Sequence, residues 1–158
     1  VYGVESVVSG YSGGSSDTAN YESVCRGNTK HIEVVKIEFD SNKITFGTIL
    51  KLFFSVAHDP TQVERQGADI GPQYSSVIFC TDKQQFDVSN QYINFLNESK
   101  VFTDLIVTKV INLKDFFEAE SYHQKYAKKN PAQPYILGVS LPKLQKLLSS
   151  FPTLIKPR

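Results

Sequence analysis

The sequence predicts a single α+β domain, with helices packed in a second layer on a mixed or antiparallel sheet. Two features of the chain predict it. Segments rich in β-branched residues, alternating or continuously apolar (31–39, 77–80, 105–111), are interspersed with segments of helical period (46–57, 82–96, 141–151). The connections between them are too uneven for a regular strand–helix–strand repeat. Length sets the scale, because 158 residues fill one compact domain, here 1–158, and hardly two. A chain of this size buries roughly two-thirds of its unfolded surface, so neither a metal nor a disulfide lattice is needed.

Residues 3–9 alternate weakly and are rich in valine, which suits a strand running into Gly10-Tyr11-Ser12-Gly13-Gly14-Ser15-Ser16, a loop by composition. Over 31–39, Glu33, Val35, Ile37 and Phe39 share one strand face, and Ile32, Val34, Lys36 and Glu38 share the other. The first of these faces is expected to meet the core. Phe46, Ile49, Leu50, Phe53 and Ala57 recur at helical spacing behind Thr45, a fitting N-cap. That helix is expected to end near His58-Asp59-Pro60. Residues 61–74 hold two glycines and a proline without periodicity and read as a long loop, a kind that often carries function. A short buried strand (77–80), a helix over 82–96 and a strand over 105–111 follow. A short amphipathic helix is expected over 120–129, and a clearer one over 141–151 through Leu144, Leu147, Leu148 and Phe151.

Composition excludes several function classes. A hydrophobic fraction of 41% with 21% charged residues belongs to a folded chain and not to a disordered one. Lys plus Arg is 17 against 16 for Asp plus Glu, and no basic run exceeds a doublet, which argues against nucleic acid as a partner. No apolar stretch approaches the roughly 18 residues of a spanning helix, which argues against a membrane. Two cysteines, Cys25 and Cys80, make no disulfide framework and point to a reducing compartment, the cytoplasm by default. The chain contains no methionine, so a segment preceding Val1 is expected.

Among side chains able to carry chemistry, Glu33 is the most informative. A carboxylate on a core-facing strand loses hydration, and desolvation raises its pKa toward neutrality. A protonated carboxyl in an apolar wall is a good general acid; the plainer reading is a strand-edge glutamate in water. Tyr11 and Tyr74 in glycine-rich loops, and Tyr21 in an irregular stretch, could donate hydrogen bonds into a pocket. His31, His58 and His123 show no zinc spacing, so no metal is expected. Cys80 reads as a buried core thiol. Cys25, six positions before His31, invites a thiol-nucleophile reading that nothing local strengthens.

Six motifs, in order, resemble the A-type peptide methionine sulfoxide reductases. They are Gly10-Tyr11-Ser12-Gly13-Gly14, then Tyr21-Glu22-Ser23-Val24-Cys25-Arg26-Gly27-Asn28-Thr29, then His31-Ile32-Glu33-Val34-Val35. His58-Asp59-Pro60-Thr61-Gln62, the run from Arg65 through Gln66-Gly67-Ala68-Asp69-Ile70-Gly71-Pro72-Gln73 to Tyr74, and Ala119-Glu120-Ser121-Tyr122-His123-Gln124 complete the series. The resemblance extends from about Gly3 to about Tyr135 and implies a ferredoxin-like variant of the α/β plait. Position by position, it implies that Tyr21, Glu33 and Tyr74 bind and protonate a sulfoxide oxygen. Asp69 then shapes the same pocket, His123 and Tyr126 lie beside it, and Tyr11 is a structural part of the glycine loop.

The departures from the family pattern are as informative. The family nucleophile is the cysteine of a Gly-Cys-Phe-Trp motif at the end of the first strand, which by spacing would lie upstream of Val1. The chain has no tryptophan. Cys25 matches a common family cysteine that is not the nucleophile, and the usual Pro-Tyr-Cys is here Pro134-Tyr135-Ile136. Lys30 and Ile32 replace a consensus Gly and Ala. The implied activity is thiol-dependent reduction of methionine S-sulfoxide, free or in proteins, by a monomer with no bound cofactor. Without a resolving cysteine, regeneration falls to an external small thiol or a thioredoxin-like donor. The alternatives are an inactive homologue that binds oxidised methionine, and an unrelated thiol enzyme that uses Cys25.

Overall fold

The computed structural model describes residues 1–157. Strand β1 (Val4–Ser12) runs antiparallel to β2 (Ile32–Phe39), from Val4 opposite Phe39 to Ser12 opposite Ile32. Between them lies the short helix α1 (Tyr21–Cys25). After β2 comes α2 (Phe46–Leu52), which widens into a π turn at Phe53–Ala57. The 61–74 segment contains a miniature hairpin, β3 (Arg65–Gln66) with β4 (Asp69–Ile70), and a 3-10 turn at Pro72–Tyr74. Strand β5 (Val77–Cys80), helix α3 (Lys83–Glu98) and strand β6 (Lys109–Asn112) form a parallel crossover unit, with Val77 opposite Lys109 and Cys80 opposite Asn112. The two-residue β7 (Phe117–Glu118) pairs with the other side of β1. Helices α4 (Tyr126–Lys129) and α5 (Leu141–Ser150) complete the chain. Antiparallel and parallel pairings both occur, in separate ladders ordered β2-β1-β7 and β5-β6, so β2 is an edge strand among the described residues.

Local chemistry explains the helices. Thr45 caps α2 by accepting from the Thr48 N–H at 3.1 Å, and Asp82 caps α3 by accepting from the Gln85 N–H at 2.8 Å. The α2 segment gives way to an extended residue at His58, where the Asp59-Pro60 pair disfavours helix. The apolar faces of α2 and α3 meet over the inner face of the β5–β6 ladder. Leu50, Phe54, Ile93, Leu96 and Ile106 are buried there, with Ile78 and Val110 packed against them.

A second, smaller cluster of Tyr11, Val24 and Ala119 joins β1, α1 and the segment after β7. Its fastening is the Glu120 carboxylate, which accepts from the Tyr11 hydroxyl at 3.1 Å, the Tyr21 N–H at 3.1 Å and the Tyr122 hydroxyl at 2.9 Å. His31, fully buried, pins the glycine loop. The Gly14 N–H donates to Nδ1 at 3.2 Å, which leaves Nε2–H to donate to the Ser15 carbonyl at 2.8 Å. A Cβ on Gly14 would stand 2.5 Å from the His31 ring, so this turn requires glycine.

Four expectations need correction. The Val35–Ile37 face of β2 does not meet the core: Val35 is 55% and Ile37 37% exposed, as is Val7 opposite Ile37 at 51%. The core gathers over β5–β6 instead, and on that face only the two ends, Glu33 and Phe39, are partly buried. Gly10, Tyr11 and Ser12 belong to β1, extended by pairing to both β2 and β7. The strand expected over 105–111 is confined to Lys109–Asn112, because only those residues find a partner in β5. The helix expected over 120–129 is split into a 3-10 turn at Ser121–His123 and the single turn α4 by Lys125 at φ +54°, a left-handed conformation that ends helical continuity.

Phe54, 2% exposed, packs against Phe53 at 5.0 Å and Tyr92 at 5.7 Å between ring centroids. Phe54→Ala should therefore cost about 3–5 kcal/mol, read as a lower urea midpoint. A loss under about 1 kcal/mol would show that the site collapses without strain. For Glu120, burial opposes the charge, but hydrogen bonds from Tyr122, its own N–H, the Tyr21 N–H and Tyr11 outweigh it and hold the pKa below the ordinary range. A depressed folded pKa adds stability that is full above the unfolded value, about 4.3, and lost as pH falls through the folded value. The urea midpoint should fall as pH drops from about 6 to about 3, and fall less in Glu120→Gln. Parallel declines would remove this carboxylate as the fastening.

Candidate active site

Helix α1 begins at Asn20, whose side chain accepts from the Ser23 N–H at 2.9 Å. It ends at Gly27, held at φ +74° with its N–H returning to the Val24 carbonyl at 3.0 Å. Tyr21 and Cys25 stand four residues apart and so share one face. The Cys25 thiol neighbours the Tyr21 phenol. Glu33 is the second residue of β2, opposite the buried Tyr11. Asp69 opens β4, and Tyr74 closes the Pro72–Tyr74 turn that packs on β2. Gln73, 5% exposed, ties that turn to α1 by donating to the Cys25 carbonyl at 3.3 Å.

Electrostatics link these groups. Burial, then the Asp69 charge, pushes the Glu33 carboxyl above its ordinary pKa. Tyr74 is raised to about 12, by burial and then by the charges of Glu33, Asp69 and Cys25. Tyr21 is raised to about 12, first by its hydrogen bond with Cys25, then by the Cys25 charge, burial, Tyr74 and Glu33. A fifth member is Tyr135, whose hydroxyl donates to Asp69 Oδ2 at 2.9 Å. Burial, that bond and the charges of Asp69 and Glu33 raise its pKa to about 12. The cluster thus gathers phenols that stay protonated at neutral pH around a carboxyl biased toward its neutral form. Such a set can donate hydrogen bonds to, and protonate, a polar oxygen.

Of the residues singled out from sequence, Tyr21, Glu33, Asp69 and Tyr74 are brought together, with Tyr21 at the open rim, 42% exposed. None of the four lines the cavity of about 380 Å³ that Ile32, Pro72, Ser75, Val77 and Phe79 help to form. His123 adjoins Tyr21, its ring 4.4 Å from Tyr21 and 4.3 Å from Tyr122. Its Nε2 is buried without a partner. Tyr126 opens α4, directly after the left-handed Lys125. His58, between the Phe53 carbonyl at 3.0 Å and the Ser76 hydroxyl at 2.6 Å, is structural, and so is Cys80, buried against Ser89.

Sequence reasoning missed α1 itself, although Asn20 as a cap, Glu22 in the first turn and Gly27 past the end were its signals. It also missed Tyr135, which drew notice only as the neighbour of an absent cysteine. Among the described residues, no group of three His, Cys, Asp or Glu could hold a metal ion, and no helix is long and apolar enough to cross a membrane.

The chain is similar in sequence and in fold to known proteins. Peptide methionine sulfoxide reductase MsrA of Trichodesmium erythraeum is 48% identical over 152 residues, covering 96% of this chain and 85% of the relative. MsrA 2 of Synechocystis sp. is 47% identical over 156 residues, covering 99% and 73%. Among solved structures, reduced Mxr1 from Saccharomyces cerevisiae superposes with a TM-score of 0.77 at 28% identity, covering 83% of this chain and 74% of that one. Methionine sulfoxide reductase A of Corynebacterium diphtheriae gives 0.72 at 31% identity, covering 84% and 67%. With the family model for peptide methionine sulfoxide reductase matching residues 1–153, the chain belongs to that family of oxidoreductases, which reduce methionine sulfoxide.

Proposed function

We propose that the chain reduces methionine S-sulfoxide, free or within proteins, with Glu33 as the proton donor. The observation that carries this reading is the half-buried Glu33 carboxyl, biased toward its neutral form beside Asp69 and the two phenols Tyr21 and Tyr74. A cysteine thiolate attacks the sulfoxide sulfur while Glu33 transfers its proton to the oxygen. Tyr21 and Tyr74 donate to that oxygen as negative charge develops on it. The S–O bond breaks as oxygen passes to the cysteine, giving methionine and a cysteine sulfenic acid. An external thiol then reduces the sulfenic acid to thiol and water and is itself oxidised to disulfide.

The resemblance assigns the attacking thiol to a Gly-Cys-Phe-Trp strand preceding Val1. The edges of β2 and β5 that have no ladder partner among the described residues can accept a further strand. Cys25, exposed next to Tyr21, is the competing thiol on this chain. Ile136, at the position of the usual family cysteine, supports regeneration by a small thiol or a thioredoxin-like protein. A monomer working in the reducing cytoplasm fits the near-neutral charge and the absence of a disulfide framework.

Trapping the sulfenic acid with dimedone, after one turnover on N-acetylmethionine sulfoxide, should label the upstream cysteine and leave Cys25 unmodified. A label on Cys25 would overturn that assignment. In the thiol-bearing enzyme, Glu33→Gln keeps the shape and a donor but removes the transferable proton. Its single-turnover rate should fall by about 10²–10⁴, with substrate binding changed far less. Tyr74→Phe should cost only a few-fold to about tenfold, because Tyr21 remains and a neutral hydrogen bond contributes about 0.5–1.5 kcal/mol. A Glu33→Gln rate within a few-fold of the unaltered enzyme would remove Glu33 from the mechanism.

A further inference from the structure

We infer that the segment 121–158 is the docking surface for the regenerating protein, a thioredoxin-like dithiol protein with an acidic face. The inference rests on the reading in which an external thiol reduces a cysteine sulfenic acid. A net charge near zero hides a division of charge along the chain. Of the 17 Lys plus Arg and 16 Asp plus Glu, residues 121–158 hold 7 of the basic residues and none of the acids. Residues 1–120 are left with 10 basic against 16 acidic ones. Lys125, Lys128 and Lys129, at and within α4, are exposed, and none is in an ion pair among the described residues.

Helix α5 adds an apolar stripe. It has no buried residue and rests on the Phe53–Ala57 turn, where the Lys146 ammonium donates to the Ser55 carbonyl at 2.6 Å. Leu137, Leu141, Leu144 and Leu148 recur at helical spacing and share one face, which is uncovered: they are 51%, 38%, 49% and 47% exposed. Turns join this face to α4 closely, the Gln133 N–H donating to the Asn130 carbonyl at 3.2 Å and the Leu137 N–H to the Gln133 carbonyl at 2.9 Å. Uncovered leucines beside charge of one sign suit an interface with a partner of the opposite sign.

The segment borders the site at two points. His123, 4.4 Å from the Tyr21 ring, precedes α4, and Tyr135, whose hydroxyl donates to Asp69, precedes α5. A protein thiol approaching a sulfenic acid there meets this segment first. Its dithiol reduces the sulfenic acid to thiol and water and closes to a disulfide. An anionic lipid surface fits less well. It would repel the acidic remainder of the chain, and α5 spans only 10 residues and turns Lys146 inward instead of flanking its leucines. A two-fold pairing with a second copy would set like charges together.

The test begins with binding, which needs no turnover. A thioredoxin of net negative charge, added to the ¹⁵N-labelled 158-residue chain, should shift amides within 125–148; no shift there would overturn the docking surface. The thiol-bearing enzyme is then assayed with that thioredoxin and with dithiothreitol. Lys125→Glu with Lys128→Glu, and separately Leu144→Gln with Leu148→Gln, should raise the thioredoxin KM about tenfold and leave dithiothreitol-supported turnover within about twofold. Overlaying amide spectra confirm that both pairs are folded. An unchanged thioredoxin KM in either pair would overturn the inference, as would equal losses with both reductants, since the segment would then serve the sulfoxide. Retention on phosphatidylserine vesicles or a dimer in sedimentation, either one abolished in the leucine pair, would give the face to lipid or to a second copy instead. Amide shifts without turnover on either reductant would leave the docking surface standing and sink the reductase mechanism.

Discussion

One carboxylate, that of Glu120, brings three separate stretches of chain to the same point. By accepting from the Tyr11 and Tyr122 hydroxyls and the Tyr21 N–H, it fixes the start of α1 against β1 and against the segment that follows β7. Each consequence passes outward from there. With α1 fixed, Tyr21 and Cys25 share one face of it; with Tyr11 fixed, its register partner Glu33 is set on the same side of the sheet. Gln73 then carries the constraint to the Pro72–Tyr74 turn. Three donors from three stretches of chain meet on this one acceptor. The arrangement trades chain entropy for the placement of two side chains.

Charge is organised with comparable economy. Glu33 and Asp69 share a neighbourhood in which two carboxylates repel, and the surroundings treat them differently. Glu33 is enclosed by the end of β2 and the tyrosines, whereas Asp69 sits on an exposed hairpin with a phenol donating to it. Pairs of acids in unequal environments are the usual means by which a protein keeps one of them protonated at neutral pH.

What could be read from the sequence was governed by range. Thr45, the helical run from Phe46 to Ala57 and its end before Pro60 are local properties, and they appear in the structure as written. The apolar alternation of β2 was equally visible but misleading: period two assigns Val35 and Ile37 to one face, and cannot say that no helix covers it. The 105–111 strand failed for the same reason, since β-branched residues form a ladder only where a partner exists. In the site, Glu33 emerged from pattern, Tyr21 and Tyr74 were admitted with Tyr11 from loop composition and selected by family resemblance, and Asp69 came from the resemblance alone. Tyr135 stayed hidden, because nothing local marks a phenol whose partner lies 66 positions away in a hairpin.

The edge position of β2 has a consequence for handling the protein. Val7 of β1 with Val35 and Ile37 of β2 expose an apolar strip, and the outer backbone groups of β2 have no ladder partner among the described residues, a combination that invites a second molecule to add itself. What stands against this is charge: Lys36 and Glu38 alternate along the same edge, paired at 3.3 Å. Both are well exposed, so salt weakens their influence over about 10 Å at 0.1 M. Colloidal behaviour should accordingly follow ionic strength more closely than temperature, with dilute buffer the better storage medium and concentrated salt the quicker route to self-association.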